Sequence, residues 1–129
     1  MTGITNYKDL IAWQKGMDLV EAVYRVSRVF PPDERYGLVA QVRRAAVSVP
    51  SNIAEGYSRR TRTDYLRFLD IARGSANEVE TQLLVATRLS FVDTEHAKET
   101  LELTAEVQRV LKGLVNSLKS SVTSGRRSS

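Results

Sequence analysis

Three arginines within four positions are the residues of this sequence best suited to binding a charged partner. They are Arg59, Arg60 and Arg62, and Tyr57 stands just before them. Guanidinium groups bind phosphate oxygens through paired hydrogen bonds, and an aromatic ring can stack on a base. The stretch therefore predicts contact with RNA or DNA, although such a run of charges is also typical of a solvated loop.

A second basic group lies toward the end of the sequence and consists of Lys119, Arg126 and Arg127. No acidic side chain occurs in residues 112–129, and the overall pI is near 9.6. These cations form a second predicted site for nucleic acid. Because the surrounding serine-rich composition buries little apolar area, we expect residues 1–119 to fold as one domain and residues 120–129 to be disordered.

A further set of polar residues falls inside segments with an apolar, helical pattern, where buried groups need partners. One interpretation pairs Arg43 or Arg44 with glutamates, within the bundle or across a subunit contact, so that the pairs fix the register. The other turns some of these arginines toward nucleic acid. The predicted structural polar network comprises Arg43, Arg44, Ser48, Asn52, Glu55, Glu78 and Glu80.

Residue patterns that support catalysis are missing from the sequence. There is no cysteine, no glycine-rich phosphate loop and no Ser-His-Asp set. The single histidine, His96, follows an expected helix start among acids and is interpreted as a surface residue. Glu78 and Glu80 are two positions apart, which on a helix turns them to different faces and disfavours a shared metal. We therefore predict no enzymatic activity, no metal, no cofactor and no small-molecule substrate.

Composition indicates a folded chain that works away from the membrane. Hydrophobic residues make up 42% and charged residues 26% of 129 positions, which is typical of one globular domain. The absence of cysteine suits a reducing compartment. No apolar run approaches the ~20 residues of a membrane span, and the N-terminal residues do not resemble a signal peptide. The expected location is the cytoplasm.

The spacing of apolar residues predicts the helices that position these side chains. In the first helical segment, apolar spacings alternate between three and four, which indicates a helix packed against others. A second apolar stripe runs along the same segment, so two faces are predicted to be buried. Since a lone bundle needs only one wide stripe, the pair favours self-association. The first stripe comprises Leu10, Trp13, Met17, Val20, Tyr24 and Ser27, and the second comprises Leu19, Val23, Val26 and Phe30.

Prolines and capping residues divide the first half of the sequence. Pro31 and Pro32 end the first helix, after which Asp33 is expected to cap the second. Pro50 falls inside the second helix, yet the apolar spacing continues across it, which predicts one continuous helix with a kink. Gly56 is expected to mark the end of that helix.

Capping residues also mark the later boundaries. Thr61 and Asp64 have the spacing of a capping box for the third helix, and Asp93 with Thr94 marks the start of the fourth. Because all the connections are short, neighbouring helices should run antiparallel. The sequence therefore predicts an all-α, up-down-up-down four-helix bundle.

The run from Gln41 to Gly56, which reads QVRRAAVSVPSNIAEG, resembles the signature of the 23S rRNA-intervening sequence protein family. Further matching residues occur within Leu10–Gln14 of the first helix, within Phe30–Leu38 at the first turn, and within Gly74–Leu83 of the third helix. The similarity covers residues 7–118.

The resemblance implies a left-handed up-down-up-down bundle that assembles into a homopentamer. Some members of that family are encoded within intervening sequences of bacterial 23S rRNA genes. A related bundle is the accessory protein of diversity-generating retroelements, where it binds reverse transcriptase and nucleic acid. Most members have no established activity. The resemblance further implies that Pro50 shapes a local kink, with Ser51 and Asn52 satisfying nearby backbone groups.

Two functions follow as alternatives. In the first, the chain is a non-enzymatic oligomeric module that binds RNA or DNA through its arginines. In the second, it is a protein-interaction scaffold or accessory subunit, for example of a reverse transcriptase. The second apolar stripe favours this alternative. The acidic character of residues 74–111, which contain seven acidic and three basic side chains, favours it as well.

Overall fold

The structure, a computed structural model, describes the backbone of residues 3–128 and side chains as far as Ser120. Within that range there are four α-helices and no strand, which confirms the predicted all-α fold class. Short 3-10 turns precede the first two helices, at Tyr7–Asp9 and Pro32–Glu34. The helices are α1 (Ile11–Ser27), α2 (Leu38–Tyr57), α3 (Arg62–Arg88) and α4 (Thr94–Ser128).

The four helices form a ring in which each one packs against two neighbours, in the order α1, α2, α3, α4. The contact between α2 and α3 is the most extensive. Ser48 of α2 meets Ser75 of α3, and Gly56 near the end of α2 meets Phe68 near the start of α3. Residue numbers rise along one helix as they fall along the other, as expected for antiparallel neighbours. The full up-down-up-down order stays a prediction.

Leucine, valine and alanine side chains fill the centre of the ring. Leu19, Val42, Leu69 and Leu111, one from each helix, are completely buried. Burial of a leucine or valine side chain contributes roughly 1.5–3 kcal/mol, so the core supplies the main stabilisation. Because buried residues of all four helices contribute to the core, the core fixes how the helices are rotated and which residues they turn to the surface.

The two apolar stripes of α1 differ in burial. The second stripe lies in the core, as a packed helix requires. The first stripe is only partly covered by its own chain. Trp13 and Val20 are half-buried, whereas Met17 and Tyr24 are 40% and 38% exposed. One subunit therefore buries one stripe fully and leaves the middle of the other, around Met17 and Tyr24, only partly covered.

Two of the predicted helix starts are confirmed by their capping hydrogen bonds. The Thr61 hydroxyl accepts from the backbone N–H of Asp64 at 3.1 Å, which closes the first turn of α3. The Asp93 carboxylate accepts from the backbone N–H of His96 at 2.7 Å, immediately before α4. Both bonds satisfy amide groups that a helix start otherwise leaves without partners.

The predicted start of the second helix is wrong. Asp33 lies in the 3-10 turn Pro32–Glu34, and α2 begins only at Leu38. The carboxylate of Glu34 accepts from the backbone N–H of Leu38 at 3.0 Å and so replaces the expected cap. The reason is local, since the fixed backbone of the two prolines favours a tight turn before the helix can start.

Pro50 lies inside one continuous α2, as the apolar spacing predicted. The proline is buried against α1, where Gly16 lies opposite. A side-chain carbon built on Gly16 would stand 3.4 Å from Pro50 and Val49, so the glycine allows a close approach of α1 and α2. The Asn52 side chain donates to the backbone carbonyl of Ser48 at 2.8 Å. The kink at Pro50 stays a prediction.

Gly56 lies at the end of the second helix, as predicted, since α2 ends one residue later at Tyr57. The glycine itself is helical and buried. A side-chain carbon on Gly56 would lie 2.8 Å from the Cβ of Phe68 on α3. The glycine therefore allows α2 and α3 to pack closely. Its position near a helix end does not indicate this contact.

The backbone of α4 extends to Ser128, but side chains beyond Ser120 lie outside the described residues. Arg126 and Arg127 belong to that segment. The predicted disorder of residues 120–129 consequently stays a prediction. None of the described helices is both long and apolar enough to cross a lipid bilayer.

Candidate nucleic-acid interface

The turn between α2 and α3 holds the three clustered arginines at one end of the bundle. The end of α2 is closed by Ser58, whose hydroxyl donates to the carbonyl of Glu55 at 2.7 Å. Three residues further on, Thr61 caps α3. The chain between the helices is thus short and fixed at both ends. Arg59 and Arg60 are exposed on it, and Arg62 is exposed at the first position of α3.

Arg59 is held by its own chain. It forms an ion pair with Glu55, one turn back on α2. Its guanidinium also lies over the ring of Phe68, 4.7 Å from the centroid, and the guanidinium of Arg67 lies at the same distance from that ring. Each such cation–π contact contributes about 0.5–1 kcal/mol at an exposed site. Arg59 and Arg67 are thereby positioned around one aromatic side chain.

Arg60 and Arg62 differ from Arg59, because neither makes an ion pair or side-chain hydrogen bond within the described residues. Their guanidinium groups remain available to an incoming anion. Lys119 is exposed near the end of the described side chains and makes a contact of its own. The structure therefore divides the predicted binding residues into held and available cations, a distinction that spacing alone does not make.

Tyr57 is engaged within the bundle and does not offer a free ring to a base. Its hydroxyl donates to the carbonyl of Ile4 at 3.2 Å. Its ring packs edge-on against Tyr65, with 6.0 Å between centroids. Burial, reinforced by the nearby Tyr57, raises the pKa of Tyr65 to about 12. The stacking role predicted for Tyr57 has no support in this geometry.

Arg43 is satisfied without a glutamate. Its guanidinium donates to the Ser27 hydroxyl at 2.8 Å and to the Tyr24 carbonyl at 3.3 Å, and it lies 4.5 Å from the Tyr24 ring centroid. All these groups belong to α1 or its last turn. Arg43 thus joins α2 to α1, and within the described chain it forms none of the predicted acid pairs.

Ser48 and Asn52 form the part of the predicted polar network that the structure brings together. The Ser48 hydroxyl lies 2.7 Å from that of Ser75 on α3, and Asn52 donates to the Ser48 hydroxyl at 2.9 Å. Ser75 lies among the small residues of α3 at this seam. It provides the polar partner across the seam, and a buried hydroxyl needs such a partner.

Arg44 and Glu78 lie in a polar groove between α2 and α3, together with Gln41, Ser48 and Gln82. No ion pair joins Arg44 to Glu78 within residues 3–120. The side-chain oxygen of Gln82 is buried there without a hydrogen-bond partner. The predicted pairing of these residues across a subunit contact stays a prediction.

Glu80 faces the opposite seam and accepts from Gln108 of α4 at 3.3 Å. That seam forms a groove of about 300 Å³, which we call the α3–α4 groove. Sequence reasoning missed it, because its cations are scattered over two helices and form no run. Helical spacing was the available signal, since Arg109 and Lys112 are three positions apart on α4. Its lining residues are Arg73, Asn77, Ala105, Gln108, Arg109 and Lys112.

The groups considered for catalysis are placed at the surface or apart from one another. His96 is exposed, and its ring lies 3.2 Å from the Asp93 carboxylate. The hydrogen bonds from His96 lower the pKa of Asp93. Within the described residues no three histidine, aspartate or glutamate side chains are arranged to hold a metal ion. The absence of enzymatic activity stays a prediction.

Comparison with known proteins gives a family and a fold. The family model described as 23S rRNA-intervening sequence protein matches residues 8–113. A crystal structure of a protein of unknown function from the S23 ribosomal protein family of Bacteroides thetaiotaomicron superposes with a TM-score of 0.74 at 20% identity. That alignment covers 81% of this chain and 98% of the other. No curated protein matches the sequence.

Proposed function

Because the chain belongs to the 23S rRNA-intervening sequence protein family, we propose that it is a non-enzymatic, self-assembling bundle that binds RNA or DNA. The arginines at the α2–α3 turn carry the binding. The observation that supports this role is the presence of two exposed cations, Arg60 and Arg62, which have no ion pair within residues 3–120 and lie beside the positioned Arg59 and Arg67.

The charge balance at the turn favours an anionic partner. Four arginines lie within residues 59–67, and the nearby acids are Glu55 and Asp64. Glu55 pairs with Arg59, and Asp64 lies 3.7 Å from Arg67, so both acids bind cations that are already positioned. The net positive charge therefore rests on Arg60 and Arg62. Guanidinium groups in such a place replace the counterions around a phosphate backbone, which drives binding at low salt.

Self-assembly is the second part of the proposal, and another copy of this chain is the partner. A mostly apolar groove of about 320 Å³ lies between α1 and α2, and we call this surface the apolar face. It includes the outward part of the first α1 stripe, whose regular helix-packing spacing favours a helical partner. The resemblance suggests five copies. The apolar face is lined by Tyr7, Trp13, Met17, Val20, Val47, Pro50, Ser51 and Ala54.

Nucleic-acid binding is tested by fluorescence anisotropy with labelled single-stranded RNA, duplex RNA and duplex DNA over about 50–200 mM salt. The variant is Arg60→Gln with Arg62→Gln. Its matched control is Arg88→Gln with Lys98→Gln, which removes the same charge from two exposed positions at the other end of α3 and the start of α4. In the turn variant, the negative slope of log affinity against log salt should become shallower by roughly 0.7–0.9 for each lost cation that contacts a phosphate.

The control should retain the slope of the unmodified protein. Equal slopes in the turn variant and the control would place the binding elsewhere. No binding of any probe at the lowest salt concentration would contradict the proposed function itself.

A protein partner is the alternative function, and exposed apolar residues near the end of α3 favour it. Leu84, Val85 and Leu89 are all exposed there, away from the basic turn. An accessory subunit, for example of a reverse transcriptase, would use such a surface. A pull-down in the presence of nuclease should then return one protein in stoichiometric amount, whereas loss of the partner after nuclease treatment supports the nucleic-acid function.

A further inference from the structure

The α3–α4 groove concentrates positive charge on the body of the bundle, apart from the turn. Arg73 contributes from α3, and Arg109 and Lys112 contribute from α4. Within the described residues, no acidic side chain lines the groove. Three long cationic side chains therefore surround an open space of about 300 Å³, which is large enough for a phosphate group and the sugar that carries it.

The acidic side chains near this groove each have a partner: Asp70 lies beside Arg73, Glu80 accepts from Gln108, and Glu106 pairs with Lys15. Asp70 lies 3.8 Å from Arg73, but both side chains are largely exposed, and such pairs contribute only about 0–1 kcal/mol. Glu106 pairs with Lys15 of α1 at 3.4 Å. A phosphate can therefore replace Asp70 beside Arg73 at little cost, and Glu106 is held on the side of α4 that faces α1.

Two amides orient each other at the centre of the groove. Gln108 donates to the side-chain oxygen of Asn77 at 2.9 Å and to Glu80 at 3.3 Å. Within the described residues, this leaves the amino group of Asn77 without an acceptor and the side-chain oxygen of Gln108 without a donor. The groove thus combines cations with one neutral donor and one neutral acceptor, as is typical of surfaces that contact both phosphate and sugar.

Arg62 at the basic turn lies on the same side of α3 as Arg73 of the groove. Arg62 and Arg73 are eleven positions apart, which is close to three helical turns, so they lie on the same side of the helix. Their backbone positions are separated by ~16 Å at 1.5 Å per residue. A single phosphate cannot span that distance, whereas successive phosphates of a strand can.

We propose that the α3–α4 groove binds the sugar-phosphate backbone of a nucleic-acid strand that continues to Arg62 at the turn. The inference rests on the proposed function and adds a defined path for the strand. Arg73, Arg109 and Lys112 contact phosphates, and the paired amides of Asn77 and Gln108 face the sugar edge of the strand.

The test is a charge-neutralised groove, Arg73→Gln with Arg109→Gln and Lys112→Gln, measured with labelled single-stranded RNA. The matched control is Arg28→Gln with Arg88→Gln and Lys98→Gln, which removes the same charge from exposed residues remote from the groove. In the groove variant we expect the negative slope of log affinity against log salt to become shallower by roughly 2, as three lost phosphate contacts require. In the control it should stay unchanged.

The outcomes separate the groove from the proposed function. If the Arg60→Gln, Arg62→Gln variant weakens binding while the groove variant behaves like its control, the path through the groove is wrong and the turn site stands. If the unmodified protein binds no RNA or DNA, the proposed function fails and the groove inference fails with it. Equal affinity for RNA and for labelled polyglutamate of the same charge would also overturn the phosphate assignment.

The groove variant should keep its fold, because the three changed side chains are partly or fully exposed. Circular dichroism checks this directly. If the triple variant unfolds, Lys112→Gln alone retains the test, since Lys112 is exposed and should lower the slope by roughly 0.7. An unchanged slope in that folded single variant would overturn the inference.

Discussion

The apolar face and the α3–α4 groove lie on opposite sides of the same ring of helices, and they differ in nearly every property that decides a partner. The apolar face exposes Met17 and Val47 beside Trp13, and its surface is mostly apolar. The α3–α4 groove exposes Arg109 and Lys112, and all the charged side chains that line it within the described residues are positive. Under the proposed function, the contrast would separate the surface for self-association from the surface for anion binding. The proposal then predicts that both surfaces are occupied at once.

The largest expected effect comes from placing charge on the apolar face. Met17→Glu with Val47→Glu should abolish assembly, because two carboxylates would be buried without partners in the subunit contact. Light scattering should change from a mass near five chains of 14.4 kDa to a mass near one. The control, Ile71→Glu with Val85→Glu, adds the same charge at equally exposed positions on α3.

The control should retain the full assembly. A monomeric unmodified protein would contradict the assembly claim, and dissociation by both pairs of substitutions would show that the apolar face is not the specific contact.

An intermediate effect is expected at the α2–α3 seam, which separates the two surfaces. Gly56→Ala should destabilise the fold by about 1–3 kcal/mol, since the new carbon would meet the Phe68 Cβ at 2.8 Å. Gly74→Ala meets nothing within 4 Å and should stabilise α3 by about 0.5–1 kcal/mol. Urea unfolding at one protein concentration measures both.

The Gly56→Ala and Gly74→Ala variants are expected to change the free energy of unfolding in opposite directions. If the two alanine variants change the free energy of unfolding in the same direction, close packing at Gly56 is not what holds α2 against α3.

The smallest effect is expected from releasing a held cation at the turn. Glu55→Gln removes the ion-pair partner of Arg59 and one negative charge beside the available arginines. RNA affinity at low salt should rise about two- to fivefold, in keeping with the small contribution of an exposed ion pair. Glu21→Gln is the control, because it removes the same charge from an exposed position on α1. A loss of affinity would mean that the Glu55 pair positions Arg59 for binding.

The sequence was informative wherever local rules decide the structure. The spacings of apolar residues placed the four helices, and Thr61 and Asp93 marked two helix starts by their own capping chemistry. The start of α2 was misplaced because two prolines shift the helix by several residues and bring Glu34 into capping position in place of Asp33. Such a shift depends on three-dimensional geometry that residue type alone does not fix.

The candidate site was only partly predictable for a related reason. Arg60 and Arg62 are two positions apart and could be found as part of a run, whereas Arg73, Arg109 and Lys112 meet only after α3 packs on α4. The partners of Arg43 were likewise unpredictable, since neutral groups of α1 satisfy it where an acid was expected. Pairing between helices depends on their rotation, which a single sequence leaves open.

The close contact of Gly56 with Phe68 has a consequence for the order in which the chain folds. Residues 56 and 68 are near in sequence, so joining them closes a short loop, and short loops close on a time scale of about 10–100 ns. Contacts of low sequence separation tend to form early in folding. We expect the α2–α3 hairpin to be the nucleus on which α1 and α4 assemble, and the arginine-bearing turn to be among the first parts of the molecule to take its native shape.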